Sequence, residues 1–116
     1  MIATLRNFDI SEFACKHCGE CHMDATFLAM LDNARDFAGV PFVVNSGYRC
    51  PEHNKAVGSL APNHPAGRAA DIACFDGPTR MRIIQGMIRA GFRRIGVQKS
   101  FVHCDSMDDI ESLWLY

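Results

Sequence analysis

The sequence predicts an α+β fold, a small, mostly antiparallel sheet with helices packed against one face, and three observations carry that expectation. Two long stretches repeat apolar residues at the three-and-four spacing of one buried helix face. Several shorter stretches are apolar or alternate with the period of a strand. The two kinds do not alternate regularly enough for a doubly wound parallel sheet. With 116 residues, 48% of them hydrophobic, the chain has room for one core, and no repeat, linker or low-complexity tract divides it. A single domain over residues 1–116 is expected.

Each element has a local cause. Asp24 can cap a first helix in which Phe27, Met30, Leu31, Ala34 and Ala38 share one face and which Gly39 ends. VPFVVN (40–45), apolar and β-branched, reads as a buried strand, and PEHNKAVG (51–58) as a short helix with Pro51 in its first turn. Residues 59–69, rich in Pro, Ala, Gly and Asn, read as a loop that delivers His64. DIACF (71–75) then reads as a short strand beginning at Asp71. A second long helix runs from about Thr79 to Ala90, with Met81, Ile84 and Ile88 on one face and Gly91 as its stop. The last third reads as two strands, RRIGVQ and SFVHCD, joined by a turn near Lys99 and followed by a segment ending in LWLY.

Charge and hydropathy exclude some classes of function. A net charge of -1 argues against a protein that works by neutralising nucleic-acid phosphates, and the cluster Arg89, Arg93 and Arg94 reads as the solvated end of a helix. No stretch reaches the roughly 18–20 apolar residues of a membrane span, and MIATLRNFDISEF lacks the apolar run of a secretory signal. The expectation is a monomer made in the cytoplasm, with no nucleic-acid or membrane partner.

Without a signal peptide, the six cysteines read as reduced thiols or metal ligands. Cys15, Cys18 and Cys21 lie in CKHCGECH, with His17 and His22 close by. Two C-x-x-C pairs sharing Cys18 suit a structural zinc with a fourth ligand from Cys50 or His22, and equally a loop of reduced thiols. Cys74 and Cys104 read as small buried apolar residues.

Taken alone, His64 in NHPAGRAAD is an ordinary loop histidine. Asp71 heads an apolar strand, where a carboxylate needs donors, a cation or a metal; capping a turn or pairing with Arg68 would also satisfy it. On a strand FVHCD, Val102 and Cys104 face one way and His103 and Asp105 the other, so an inward Val102 and Cys104 leave His103 and Asp105 facing a cleft. Two imidazoles and one carboxylate, with a fourth position for water, make the ligand set of a catalytic zinc site. Asp105 is the local carboxylate able to serve such a site as general base, or else to orient a ligand.

The segment SGYRCPEHNKAVG, then H-x-x-G-x-A-x-D as His64, Gly67, Ala69 and Asp71, then GFRRIGV, FVHCD and an aromatic ending with Trp114 and Tyr116 resemble peptidase family M15. These are the zinc D-Ala-D-Ala carboxypeptidases and L,D-endopeptidases, and the likeness is to their short, phage-associated endolysin type, from about Phe13 to the end. The resemblance implies a fold shared with the hedgehog signalling domain. It implies one zinc ion held by His64, Asp71 and His103, with Arg49 holding a substrate carbonyl or carboxylate. Arg49 could instead pair with Glu52 or Asp105. Ser46, Tyr48 and Asn63 flank the motifs and are candidates for substrate binding. Many relatives carry an acidic base three residues before the last zinc histidine, a position that is Ser100 here. Others carry H-x-D, as His103 and Asp105 do, which makes Asp105 the candidate base.

Two readings follow from the resemblance. One is a peptidase acting on peptidoglycan peptides, made in the cytoplasm and released to the wall in a phage or prophage setting. The other is a zinc-bearing module of the same fold that has lost catalysis and binds wall or protein, with Ser100 in its favour. A cysteine-cluster module for nucleic-acid contact rests on CKHCGECH alone.

Overall fold

A computed structural model describes residues 5–58 and 62–116; of the loop expected over 59–69, residues 59–61 lie outside the described residues. After a short 3-10 helix, Ile10–Phe13, comes α1, Ala25–Ala38. The Asp24 carboxylate accepts from the Phe27 N–H at 2.8 Å, and Gly39 closes the helix, as the pattern predicts. Its buried face is Phe27, Leu28, Leu31, Ala34 and Ala38. Each large side chain hidden there contributes about 1.5–3 kcal/mol. Asp32 is buried in the same helix and accepts from the backbone N–H groups of Arg6 and Asn7 at 2.9 and 3.0 Å, which clips the preceding segment onto α1.

The second long helix, α3, spans Gly77–Arg89 and begins two residues before Thr79. Asp76 caps it, accepting from the Thr79 N–H at 2.8 Å, and Pro78 sits in the first turn, where its missing N–H leaves no bond unmade. Between the long helices lies the short α2, Pro51–Ala56, with Cys50 as its N-cap.

Five strands form one sheet: β1 (Val44–Ser46), β2 (Ala69–Ala73), β3 (Arg94–Gln98), β4 (Phe101–Asp105) and β5 (Ser112–Leu115), in the order β1-β2-β4-β3-β5. The first four pair antiparallel and β5 joins β3 in parallel, so the sheet is mixed within an α+β fold. Two elements differ from their expected spans. VPFVVN yields only two strand residues, Val44 and Asn45, which Ser46 extends to three, with Phe42 turned into the core. The strand expected over 71–75 starts at Ala69, because Ala69 and Ala70 pair with Asp105 and Cys104. The closing segment, expected without a defined partner, contributes the edge strand.

Strand alternation separates the two faces of the sheet. Ala70, Ile72, Ile95, Val102 and Cys104 join Phe27, Leu31, Ile83 and Met87 in one core beneath α1 and α3. On the opposite face the register places Asp71 and Gly96 on either side of His103, with Arg94 across from Asp105. No helix among the described residues is long and apolar enough to cross a membrane.

Candidate metal centre

Three elements bring His64, Asp71 and His103 together. Asp71 and His103 face each other across the β2–β4 ladder, and the turn before β2 lays His64 beside them. One ligand atom of each lies within 4.8 Å of the others. His64 Nε2 is 3.5 Å from Asp71 Oδ2, close to the N···O edge of about 3.4 Å that a tetrahedral zinc site requires.

The histidine tautomers follow from their other partners. His64 Nδ1 lies 2.8 Å from the Gly47 carbonyl, which can only accept, so Nδ1 carries a proton and Nε2 is the ring atom that faces Asp71. His103 stands between two carboxylates, with Nδ1 2.8 Å from Asp71 Oδ1 and Nε2 2.8 Å from Asp105 Oδ2. Burial lowers its pKa, but the hydrogen bonds and charges of Asp105 and Asp71 outweigh it and raise the ring above the ordinary imidazole value. With Nε2–H kept on Asp105, Nδ1 is the ring atom available on the side of Asp71 and His64. Burial likewise raises the Asp71 carboxyl, and His103 and His64 outweigh it, holding Asp71 well below the usual carboxylate range. Two imidazoles and a carboxylate so oriented fit a divalent ion of zinc's preferences.

Asp105 has both oxygens engaged. Oδ2 accepts from His103 and from Asn63 Nδ2 at 3.1 Å; Oδ1 accepts from Arg94 Nε at 2.7 Å and the Met107 N–H at 3.2 Å. Its side chain is fully buried behind His103. Burial raises its pKa, and His103 and Arg94 bring it below the usual value. This is the geometry of a carboxylate that orients a metal-binding histidine; as the expected base it has no oxygen facing the cleft. Ser100 lies outside the centre, its hydroxyl bonded to Gln98 Oε1 at 2.6 Å.

Arg49 pairs with neither Glu52 nor Asp105. Its guanidinium donates to Ser46 Oγ and Asn54 Oδ1, both at 3.1 Å, and lies 3.7 Å from Asp71 Oδ2. Ser46 therefore acts by holding Arg49. Tyr48 is not brought to this centre: it is buried with Cys15 and Cys50 on the far side of the segment. Asp71 does not pair with Arg68, which reaches Ser106.

A cleft of about 590 Å³ opens over the centre, with Arg49, Asn63, Arg94 and His103 at its floor and Phe101, Trp114 and Tyr116 along its wall. The Trp114 ring lies 5.5 Å from that of His103, and the Arg94 guanidinium carbon 5.2 Å from the indole. Gly96 makes this placement possible, since a Cβ there would strike the Trp114 indole and the Tyr116 ring.

Arg94 is the residue that the sequence reading placed wrongly, in a solvated helix end; it lines the cleft, with its side chain 16% exposed, on Asp105. A signal was there. A two-residue turn at Lys99 and Ser100 puts Gln98 opposite Phe101, and counting outward puts Arg94 opposite Asp105. Asn54, which braces Arg49, left no comparable signal.

The second expected metal cluster is assembled only in part. Cys15, Cys18 and Cys50 have their sulfurs within 4.8 Å of one another. Cys21 stands apart, its thiol directed at the Ile10 carbonyl at 3.7 Å.

No curated protein matches the chain. A family model described as Peptidase M15 matches residues 6–105, a span that holds every residue of the candidate centre. A match over that much of the sequence, from a chain that folds to set His64, Asp71 and His103 around one point, leaves a single conclusion: this protein belongs to the peptidase M15 family.

Proposed function

We propose that this chain is a zinc-dependent peptidase that hydrolyses amide bonds in the stem or cross-bridge peptides of bacterial peptidoglycan, as a D-Ala-D-Ala carboxypeptidase or L,D-endopeptidase. His64, Asp71 and His103 would hold the ion. Zinc held there supplies a Lewis acid that polarises a carbonyl and lowers the pKa of water toward neutrality.

The chain's own residues divide the remaining work. Arg49, braced by neutral oxygens of Ser46 and Asn54, keeps N–H groups for a substrate carboxylate or a developing oxyanion beside Asp71. Asp105 fixes the His103 ring through Nε2 and neutralises Arg94, which makes it a positioning residue for the centre. Trp114, Tyr116 and Phe101 give the cleft an apolar wall against which a peptide side chain can pack. Action on wall peptides is in keeping with an endolysin.

The observation that carries this reading is the convergence of His64, Asp71 and His103 at the floor of a cleft that also holds Arg49. Clearing of purified cell walls followed by turbidity, with the protein in zinc and after complete chelation, tests it. Clearing that survives chelation contradicts the metal mechanism.

One observation favours a second reading. Among the described residues lining the cleft, Asp71 is the sole carboxylate, and Ser100 stands where many relatives carry an acid. A zinc-bearing module that binds wall peptides without cutting them fits that composition. Retained binding of wall fragments without new amine termini would decide for it.

A further inference from the structure

The cysteine-rich turn and the start of α2 form a second cluster of soft ligands, on the far side of Arg49 from the His64, Asp71 and His103 centre. Cys15 and Cys18 lie in a tight turn closed by the Gly19 N–H on the Cys15 carbonyl at 2.8 Å and by the Cys15 N–H on the Glu20 carbonyl at 2.7 Å. Gly19 takes the positive φ of 78° that turns the chain so that the Glu20 carbonyl returns to the Cys15 N–H. Cys50, 35 residues further on, joins them, and all three sulfurs lie within 4.8 Å of one another.

A fourth ligand stands at the edge of this cluster, beside Cys50 but outside the 4.8 Å that the three sulfurs share, so a small shift of the His17 side chain would complete the set. His17 Nδ1 is 3.5 Å from Cys50 Sγ, and zinc with bonds of about 2.3 Å to sulfur and 2.0–2.1 Å to nitrogen gives a tetrahedral S···N edge of about 3.6 Å. The His17 ring also stacks on His53, with centroids 5.6 Å apart and planes 4° from parallel, which fixes its orientation. Backbone donors are aimed at the sulfurs: the Cys50 N–H at Cys15 Sγ and the His53 N–H at Cys50 Sγ, each at 3.4 Å. The other cysteines take no part, Cys21 facing Ile10 and Cys74 and Cys104 lying in the core.

We propose that Cys15, Cys18, Cys50 and His17 form a second, structural zinc site that fastens the N-terminal turn to the start of α2. With four protein ligands the site is closed and leaves no position for substrate. Three thiol protons leave as the ion binds, so three thiolates, a neutral imidazole and a divalent cation carry a net charge of about -1. The site steadies the segment that carries Arg49. Arg49 directly precedes Cys50, and its N–H donates to the His64 carbonyl at 3.4 Å, so the clamp holds the segment between the two metal centres.

The test uses the full chain, purified under reducing conditions, with zinc content measured by mass spectrometry and cobalt as a spectroscopic replacement. The expected result is a second zinc equivalent beyond that of the His64 centre and, with cobalt, thiolate-to-metal charge-transfer absorption. That absorption survives His103→Ala and is lost in Cys18→Ser, an exposed position where serine leaves the core intact. Loss of the second equivalent in Cys18→Ser lowers the melting temperature without altering the zinc held by His64, Asp71 and His103. A wild-type chain with one zinc equivalent that disappears in His103→Ala overturns the proposal. So does an intact mass two hydrogens light with Cys15 or Cys50 resistant to alkylation, since a disulfide then joins the sulfurs. An unchanged cobalt spectrum in His17→Ala removes His17 from the ligand set.

Discussion

Asp105→Asn separates a residue that orients a zinc ligand from one that carries a proton in the reaction. The carboxylate accepts from donors on both sides, His103 Nε2 at 2.8 Å and Arg94 Nε at 2.7 Å. An amide has one oxygen. If that oxygen keeps Arg94, the amide N–H points at His103 and drives the ring into the tautomer with its proton on Nδ1, the atom that should face the metal. If the oxygen keeps His103, the amide N–H meets the Arg94 guanidinium. Either arrangement weakens the centre. Loss of a partner that orients a metal-binding histidine costs about 10–100-fold in metal affinity, or about 1.4–2.7 kcal/mol. The assay is competition for zinc against a chromogenic chelator, followed by turnover at saturating zinc. The expected result is weaker zinc binding in that range, with much of the activity regained when the site is filled. Unchanged zinc affinity, with turnover down about 10²–10⁴-fold at saturating zinc, would instead make Asp105 the proton carrier and refute the reasoning.

Other perturbations probe the parts around it. Gly96→Ala introduces a Cβ into the space of the Trp114 indole, at a cost of about 1–3 kcal/mol, and Trp114 is the sole tryptophan of the chain, so its emission should shift to the red; unaltered emission contradicts the packing. Arg49→Lys loses the planar fork held by Ser46 and Asn54 and should lower kcat/KM about 100-fold with zinc content unchanged; equal turnover argues against Arg49 as an oxyanion donor. For the chelated protein the signs are opposed. His103, with a raised pKa, stabilises the fold below its unfolded value of about 6.5 and loses that contribution as pH rises through its folded value. Asp71 and Asp105, with lowered pKa values, contribute above about 3.9 and lose it as pH falls through their folded values. Melting temperature without metal should therefore peak between about pH 4 and 6.5, whereas zinc affinity should grow as pH rises and His103 gives up its proton. A chelated protein that gains stability from pH 6.5 to 8 contradicts the charged arrangement of His103.

What could be read in the sequence was what neighbouring residues decide. The capped, periodic stretch from Asp24 to Gly39 is a helix for local reasons, and it is α1. The alternation in FVHCD separates Val102 and Cys104 from His103 and Asp105 whatever the strand pairs with, and the core contains Val102 and Cys104 as expected. Long-range pairing was harder to see. β5 is held by a parallel partner in β3, and nothing in LWLY names that partner. Arg94 looked like a helix-end cation until the hairpin register set it on Asp105. The same holds for the thiols. Spacing in CKHCGECH offers Cys21 and Cys15 equally, but the turn at Gly19 brings Cys15 and Cys18 toward Cys50 and leaves Cys21 on Ile10. His64, Asp71 and His103 were legible as candidate ligands; the partners that orient the two imidazoles, the Gly47 carbonyl for His64 and Asp105 for His103, were visible only in the fold.

The most direct measurement is mass spectrometry of purified muropeptides after digestion by the wild-type protein in zinc, by the same protein after chelation, and by His103→Ala. The account predicts new fragments from cleavage of one amide bond next to a D-amino acid in the zinc-loaded wild type, and none in the other two. The same fragments from the chelated protein or from His103→Ala would contradict it, as would intact muropeptides after digestion with a zinc-loaded wild type.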